Sequence, residues 1–207
     1  MGSVNPFATR FTRPGRIVPL DAEGRPVELA ALLGRLDELG GRAAIQGAHG
    51  SGKSTLLIRL HEEAACQGRL SVVHRLGVGP WRDAAASVAA VIRAPSASLV
   101  CVDSWERLGR MAGSATRLVA SRRGCRLLVT SHGPAGLPVL LRCDPTAATL
   151  EAVVRQLPEA SVWLGSVIGD DDISDAWSRH TPNLREALFH LYDLFEERRT
   201  ERRRSRS

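Results

Sequence analysis

The chain has 207 residues, a formal charge of +6 and a sequence pI near 10.0. At 43% hydrophobic but only 4% aromatic, it can bury one mostly aliphatic core, with room for one domain plus a small appendage. Four cysteines without paired spacing (Cys66, Cys101, Cys125, Cys143) argue against a zinc site or a disulfide framework, and no apolar run approaches the roughly 18 residues of a membrane span. A reducing, cytoplasmic setting is the expectation.

The opening stretch, 1–22, has no periodicity and is expected to be an extended arm whose phenylalanines pack onto the body. From Pro26 the spacing of Val27, Leu29, Leu32, Leu33, Leu36 and Leu39 predicts an amphipathic helix with Pro26 as its first residue, ended by Gly40-Gly41. A short strand, Ala43 to Ile45, leads into a glycine-rich loop and a helix from about Lys53 to Cys66. Strands are expected at Ser71 to Leu76, Leu99 to Val102, Arg126 to Thr130 and Pro138 to Leu141. Helices at Trp81 to Ile92 and Trp105 to Ser121 separate the first three of these. Alternation with short connections implies an α/β fold with parallel strands and right-handed crossovers.

After Pro145 only helical stripes remain, at Thr146 to Leu157, Ile173 to Arg179 and Leu184 to Arg199. Asp170 to Asp172 read as the cap of the middle helix rather than a metal site. The end, Arg198 to Arg206, carries six arginines against one glutamate and is expected to be disordered. It is also the stretch that could track nucleic-acid phosphates. The expected organisation is an arm (1–22), an α/β core (23–145), an all-helical segment (146–197) and an Arg-rich tail (198–207).

Gly47 to Ser54 matches G-x-x-x-x-G-K-[ST]. The chemistry needs glycines so that successive backbone N–H groups can wrap a phosphate, with the following helix pointing its positive end at the same group. Of the 28 basic residues a single one is lysine, and it is Lys53. A compact ammonium suits that place better than a planar guanidinium. Lys53 is expected on the β and γ phosphates and the Ser54 hydroxyl on Mg²⁺. The expected binding set is Gly47, His49, Gly50, Ser51, Gly52, Lys53, Ser54, Thr55 and Asp103. Guanine-specific enzymes read the base with [NT]-K-x-D, and no second lysine exists, so ATP is favoured.

Leu99 to Val102 is a continuous apolar run of the kind buried on both faces of a sheet. It delivers Asp103 to the edge where ligands bind in open α/β sheets, where it can hold Mg²⁺ through water. Ser104, not glutamate, follows Asp103. Glu106 can turn toward the γ-phosphate, or complete a capping pattern on Asp103. His132, after the fourth strand, can sense the γ-phosphate or be ordinary loop polarity.

These residues resemble AAA+ and related STAND-type P-loop ATPases. Glu23 to Leu32 is similar to their "GRxxEL" lead-in. Lys53 and Asp103 stand at the Walker A and Walker B places, and Thr130-Ser131-His132 at sensor 1. Pro182 to Leu188 resembles the "GNxREAL" start of a lid helix. The resemblance implies a three-layer P-loop NTPase with a mostly parallel five-stranded sheet and a small all-α C-terminal lid. It further implies that Arg185 contacts the γ-phosphate and that Glu106, His132 and Arg185 serve a slow Mg²⁺-dependent ATPase working as a nucleotide-controlled switch. The chain departs from the pattern at Ser104 and between Thr130 and Pro138, where no helix for an arginine finger fits. A non-hydrolysing ATP-binding adaptor for an unknown protein partner is the alternative, and a small-molecule kinase a third, which lacks an acceptor base other than Glu106.

Overall fold

The computed structural model describes residues 4–77 and 79–204; residues 1–3 and 205–207, the ends of the expected arm and tail, lie outside them. In chain order the elements are α1 (Thr9–Thr12), α2 (Leu29–Glu38), β1 (Arg42–Gly47), α3 (Lys53–Cys66), β2 (Ser71–Arg75), α4 (Pro80–Arg93) and β3 (Leu99–Asp103). A 3₁₀ turn (Trp105–Leu108), α5 (Gly109–Arg122), β4 (Arg126–Ser131) and β5 (Val139–Cys143) follow, then α6 (Ala147–Arg155), α7 (Ala160–Trp163), α8 (Asp170–His180) and α9 (Leu184–Arg204). The residues group into two compact units, 28–47 with 56–143, and 1–27 with 48–55 and 144–207.

The first unit holds a five-stranded parallel sheet, ordered β2-β3-β4-β1-β5, with helices on both sides. Burial explains the uninterrupted apolar strands: every residue of β3 is buried, as are all but the first of β4. Val100, Val102, Leu127 and Val129 pack with Ala44, Trp105, Leu108 and Ala120. On α2, Leu32, Leu33 and Leu36 form the buried stripe, and Gly41 N–H closes the helix end on the Leu36 carbonyl at 2.8 Å. The expected helix Trp105 to Ser121 is divided at Gly109 into the 3₁₀ turn and α5. Residues 132–138 contain no helix, so β5 follows β4 by a short loop.

The second unit is helical. Its core joins Leu150, Val153, Val154 and Leu157 of the α6 region to Ile173, Ala176, Leu188, Leu191 and Phe195. Phe7 from the arm is 1% exposed within this core, 5.2 Å from the Trp163 ring and 6.2 Å from Phe195. Asn5 fixes it there: its Oδ1 accepts from Phe7 N–H, and its Nδ2 donates to the Tyr192 carbonyl and the Glu196 carboxylate. The arm therefore completes the helical unit's core.

Two other expectations change. Pro26 does not begin a helix; it forms an antiparallel bridge with Leu20, and Val27 N–H bonds the Pro19 carbonyl, so α2 starts only at Leu29. The Asp21–Arg25 turn inside that bridge docks on the start of α6, where the Thr149 hydroxyl donates to the Asp21 carbonyl at 3.0 Å. The Arg-rich end is helical as far as Arg204. Arg198 explains why: its guanidinium forks onto both Asp172 carboxylate oxygens and also reaches the Val167 carbonyl, while Arg202 donates to the Ser166 carbonyl.

Candidate nucleotide site

β1 ends at Gly47 and α3 begins at Lys53, so the glycine-rich loop sits between a buried strand and a helix N-terminus. Gly50 has φ +70°. A Cβ there would lie 1.7 Å from Asn183 Oδ1, 2.6 Å from Asn183 Cγ and 3.3 Å from Arg185 Cβ. Only glycine lets the start of α9 come this close. Within this helical unit the loop and the residues 183–185 are thus in contact. Asn183 Oδ1 also accepts from Glu186 N–H at 3.3 Å, capping α9.

The Lys53 ammonium donates to the Ala48 carbonyl at 2.5 Å, folded back across the loop. Ser51 is 5% exposed, and its Oγ has no hydrogen-bond partner. A buried hydroxyl without a partner, a lysine turned into the loop and a glycine backbone free of Cβ contact at Gly52 suit an incoming polyphosphate. Ser54 in this unit and Asp103 in the sheet unit each carry an oxygen of the kind a hard cation takes. Among the described residues no group of three or more His, Cys, Asp or Glu side chains could hold a metal by itself.

In the sheet unit, strand register organises the candidate residues around Asp103. Val102 pairs with Val129 and Ile45 with Thr130, which sets Asp103, Thr130 and Ile45 in one row across β3, β4 and β1. Asp103 is 5% exposed, and its Oδ1 accepts from the Thr130 hydroxyl at 2.6 Å. Thr130 Oγ1 in turn accepts from Ser104 N–H at 2.9 Å. Ser104 adopts the left-handed conformation (φ +70°), which the Thr130 bond helps to hold. The exposed Arg75 lies 3.4 Å from the second Asp103 oxygen. Glu106 lies in the 3₁₀ turn, whose N-cap is Ser104, and its carboxylate meets His132 Nε2 at 3.2 Å.

No family model matches the sequence, and no curated protein matches it. Solved structures do. The chain is similar to one in the structure of Drosophila ORC bound to DNA, at TM-score 0.56 and 15% identity over 97% of this chain and 62% of that one. The likeness is one of fold: a three-layer α/β P-loop NTPase-like arrangement with a parallel five-stranded sheet and a helical C-terminal region. A chain in the structure of C. elegans PCH-2 also matches, at TM-score 0.40 and 13% identity over 82% of this chain and 66% of that one, too low to add to the assignment. The protein spans about three-fifths of the Drosophila chain, and likeness at this identity speaks for fold alone.

Within its two units the structure brings together Asp103 with Thr130, Glu106 with His132, and Gly50 with Arg185. His49 is exposed on the loop, and Thr55 is half-buried on the first turn of α3. Sequence reading set Thr130 in the Thr130-Ser131-His132 strand end and Asn183 in the 182–188 helix start, and gave neither a role of its own. A hydroxyl one residue short of a strand's end, in register with an acidic strand end, was the available signal for Thr130. Asp83 was missed as well: it is 3% exposed, accepts from Gly77 and Gly79 N–H, and lies 3.8 Å from Arg107. No helix among the described residues is long and apolar enough to cross a membrane.

Proposed function

We propose that the chain binds ATP with Mg²⁺ and works as a slow, nucleotide-controlled ATPase switch of the AAA+/STAND kind. The contact of Gly50 with Asn183 and Arg185 carries this reading, because it joins the phosphate loop to the start of the last helix. Bound Mg²⁺-ATP would supply a γ-phosphate that can be cleaved and whose charge differs between substrate and product. Lys53 serves the β and γ phosphates, while Ser54 and Asp103 serve the cation. Thr130 keeps the Asp103 carboxylate oriented through its 2.6 Å bond. Arg185 senses the γ-phosphate from the lid, and Glu106, positioned by His132, orients water. The nucleotide-binding core spans 23–145 and the lid 146–197.

A switch needs differential affinity for the two nucleotide states. A charge-assisted bond from Arg185 to the γ-phosphate is worth about 1.5–3 kcal/mol, or roughly a tenfold to hundredfold ATP preference. Arg185→Ala is expected to reduce the ATP-over-ADP affinity ratio by at least about tenfold. An unchanged ratio would mean that the lid does not read the γ-phosphate.

A second reading, a non-hydrolysing ATP-binding adaptor for a protein partner, is favoured by Ser104 standing directly after Asp103. Tight ATP binding with no phosphate release would select it. Nucleic acid remains a proposed partner of the Arg-rich end, in line with the DNA-bound Drosophila neighbour. Arg198 and Arg202 are already engaged on 166–172, and Arg199 pairs with Glu196, so the other arginines of the run are the ones proposed for phosphates.

A further inference from the structure

We propose that the arm carries a second anion-binding site, built from residues other than the phosphate loop, that takes a phosphate-bearing ligand. The site is a cavity of about 360 Å³ lined by Arg10, Arg13, Arg16, Phe11, Ile17 and the Gln156–Pro158 corner. Its volume lies in the range of small-ligand pockets.

Local chain geometry explains how three arginines come to share one cavity. Arg10 and Arg13 are three apart at α1 and its C-cap, and so lie on one face of a helical turn. Arg13-Pro14-Gly15-Arg16 is then a tight turn, with Arg16 N–H donating to the Arg13 carbonyl at 3.1 Å. Proline at its second position and Gly15 at φ +88° are the residues a type II turn requires. The turn brings Arg13 and Arg16 back alongside each other.

Electrostatics then point to an anion. Among the described residues no ion pair or hydrogen bond engages these three guanidinium groups; Arg10 lies over the Phe11 ring at 4.8 Å instead. Elsewhere in the fold arginines find carboxylates, as Arg69 and Arg126 do on Asp37 and Arg198 on Asp172. No acidic residue lines the cavity. Three like charges around one concave surface, without a counter-charge, hold a potential that an incoming anion neutralises. Guanidinium forks match phosphate oxygens in pairs. Half-buried Phe11 and Ile17, with buried Leu157, give the ligand an apolar face to rest on, as a base does on an aromatic side chain. Gln156 ties the cavity to the helical unit, its Oε1 accepting from Val18 N–H at 3.0 Å. A ligand held there would bridge the arm and the end of α6.

The phosphates can belong to a nucleic-acid strand or to a free polyphosphate. The full chain carrying Lys53→Ala, so that the phosphate loop does not contribute, is titrated with a short labelled oligothymidylate and, separately, with inorganic tripolyphosphate. The same chain carrying also R10Q, R13Q and R16Q is the comparison, its melting temperature checked first. Loss of at least about tenfold in oligothymidylate affinity is expected if a strand is the source, together with a salt slope shallower by about 2 for three lost contacts. Loss confined to tripolyphosphate identifies a free polyphosphate and supports the site equally. Affinities for both ligands that match the parent overturn the proposal. Should the triple variant melt early, R16Q alone is compared with R16K, and equal loss in both would also overturn it, since lysine keeps the charge.

Discussion

Substituting Gly50 by alanine is a sharp test of the contact between loop and lid helix. The new methyl would sit 1.7 Å from Asn183 Oδ1 and 3.3 Å from Arg185 Cβ, at a φ of +70°. Left-handed backbone costs an alanine about 1–2 kcal/mol. Forcing Asn183 aside costs about 1–3 kcal/mol as an overpacking change, part of it the cap bond to Glu186 N–H. A total loss of about 2–5 kcal/mol is expected, read as a lower urea midpoint with ATP affinity reduced in parallel. Asn183→Ala in the same chain removes the steric part and leaves the backbone part. The double variant should therefore be more stable than the sum of the two single effects by about 1–2 kcal/mol. If Gly50→Ala unfolds within about 0.5 kcal/mol of wild type, or if the two changes simply add, the loop and α9 do not touch as described.

Thr130→Val leaves the Asp103 carboxylate and Ser104 N–H without their shared hydroxyl, so a loss of about 1–3 kcal/mol is expected in chemical denaturation. Its Mg²⁺ dependence of ATP binding should also weaken. At Asp172 the Arg198 hydrogen bond, against partial burial and with help from Gly169 N–H, holds the carboxyl below its ordinary 3.8. The folded value being the lower one, this pair stabilises fully at pH well above 3.8 and is lost as pH falls through the folded value. Arg198→Met should therefore flatten the acid limb of a stability-against-pH curve and remove stability at neutral pH. Burial pushes the Cys101 thiol up to about 12, despite the Ser71 hydrogen bond, so a thiol reagent should label the exposed Cys66 in native protein and reach Cys101 only on unfolding.

What could be read from sequence was what local pattern determines. The alternation of strands and helices, the loop at Gly47 to Ser54 and the acidic strand end at Asp103 rest on short-range spacing, and all stand in the fold. What was missed depends on pairings that helical spacing does not show, some of them between residues far apart in the chain. Pro26 reads as a helix start until Leu20 pairs with it. That the arm's phenylalanines pack inward was expected, but that Phe7 meets Trp163 and Phe195 of the helical core depends on residues more than 150 positions away. The Arg-rich run is helical as far as Arg204 because Arg198 finds Asp172 across a turn between helices. Thr130 was read only as part of the polar end Thr130-Ser131-His132, since only the β3–β4 register reveals that it is the residue beside Asp103. The Glu106–His132 pair likewise required a contact 26 residues apart, beyond the reach of spacing alone.

The most direct test of the central claim is calorimetric titration of the purified chain with Mg²⁺-ATP, beside Lys53→Ala. Saturable binding to the wild type, weakened at least about tenfold in the variant, is the predicted result. Equal binding by both chains, or none by either, would contradict a nucleotide site at this loop.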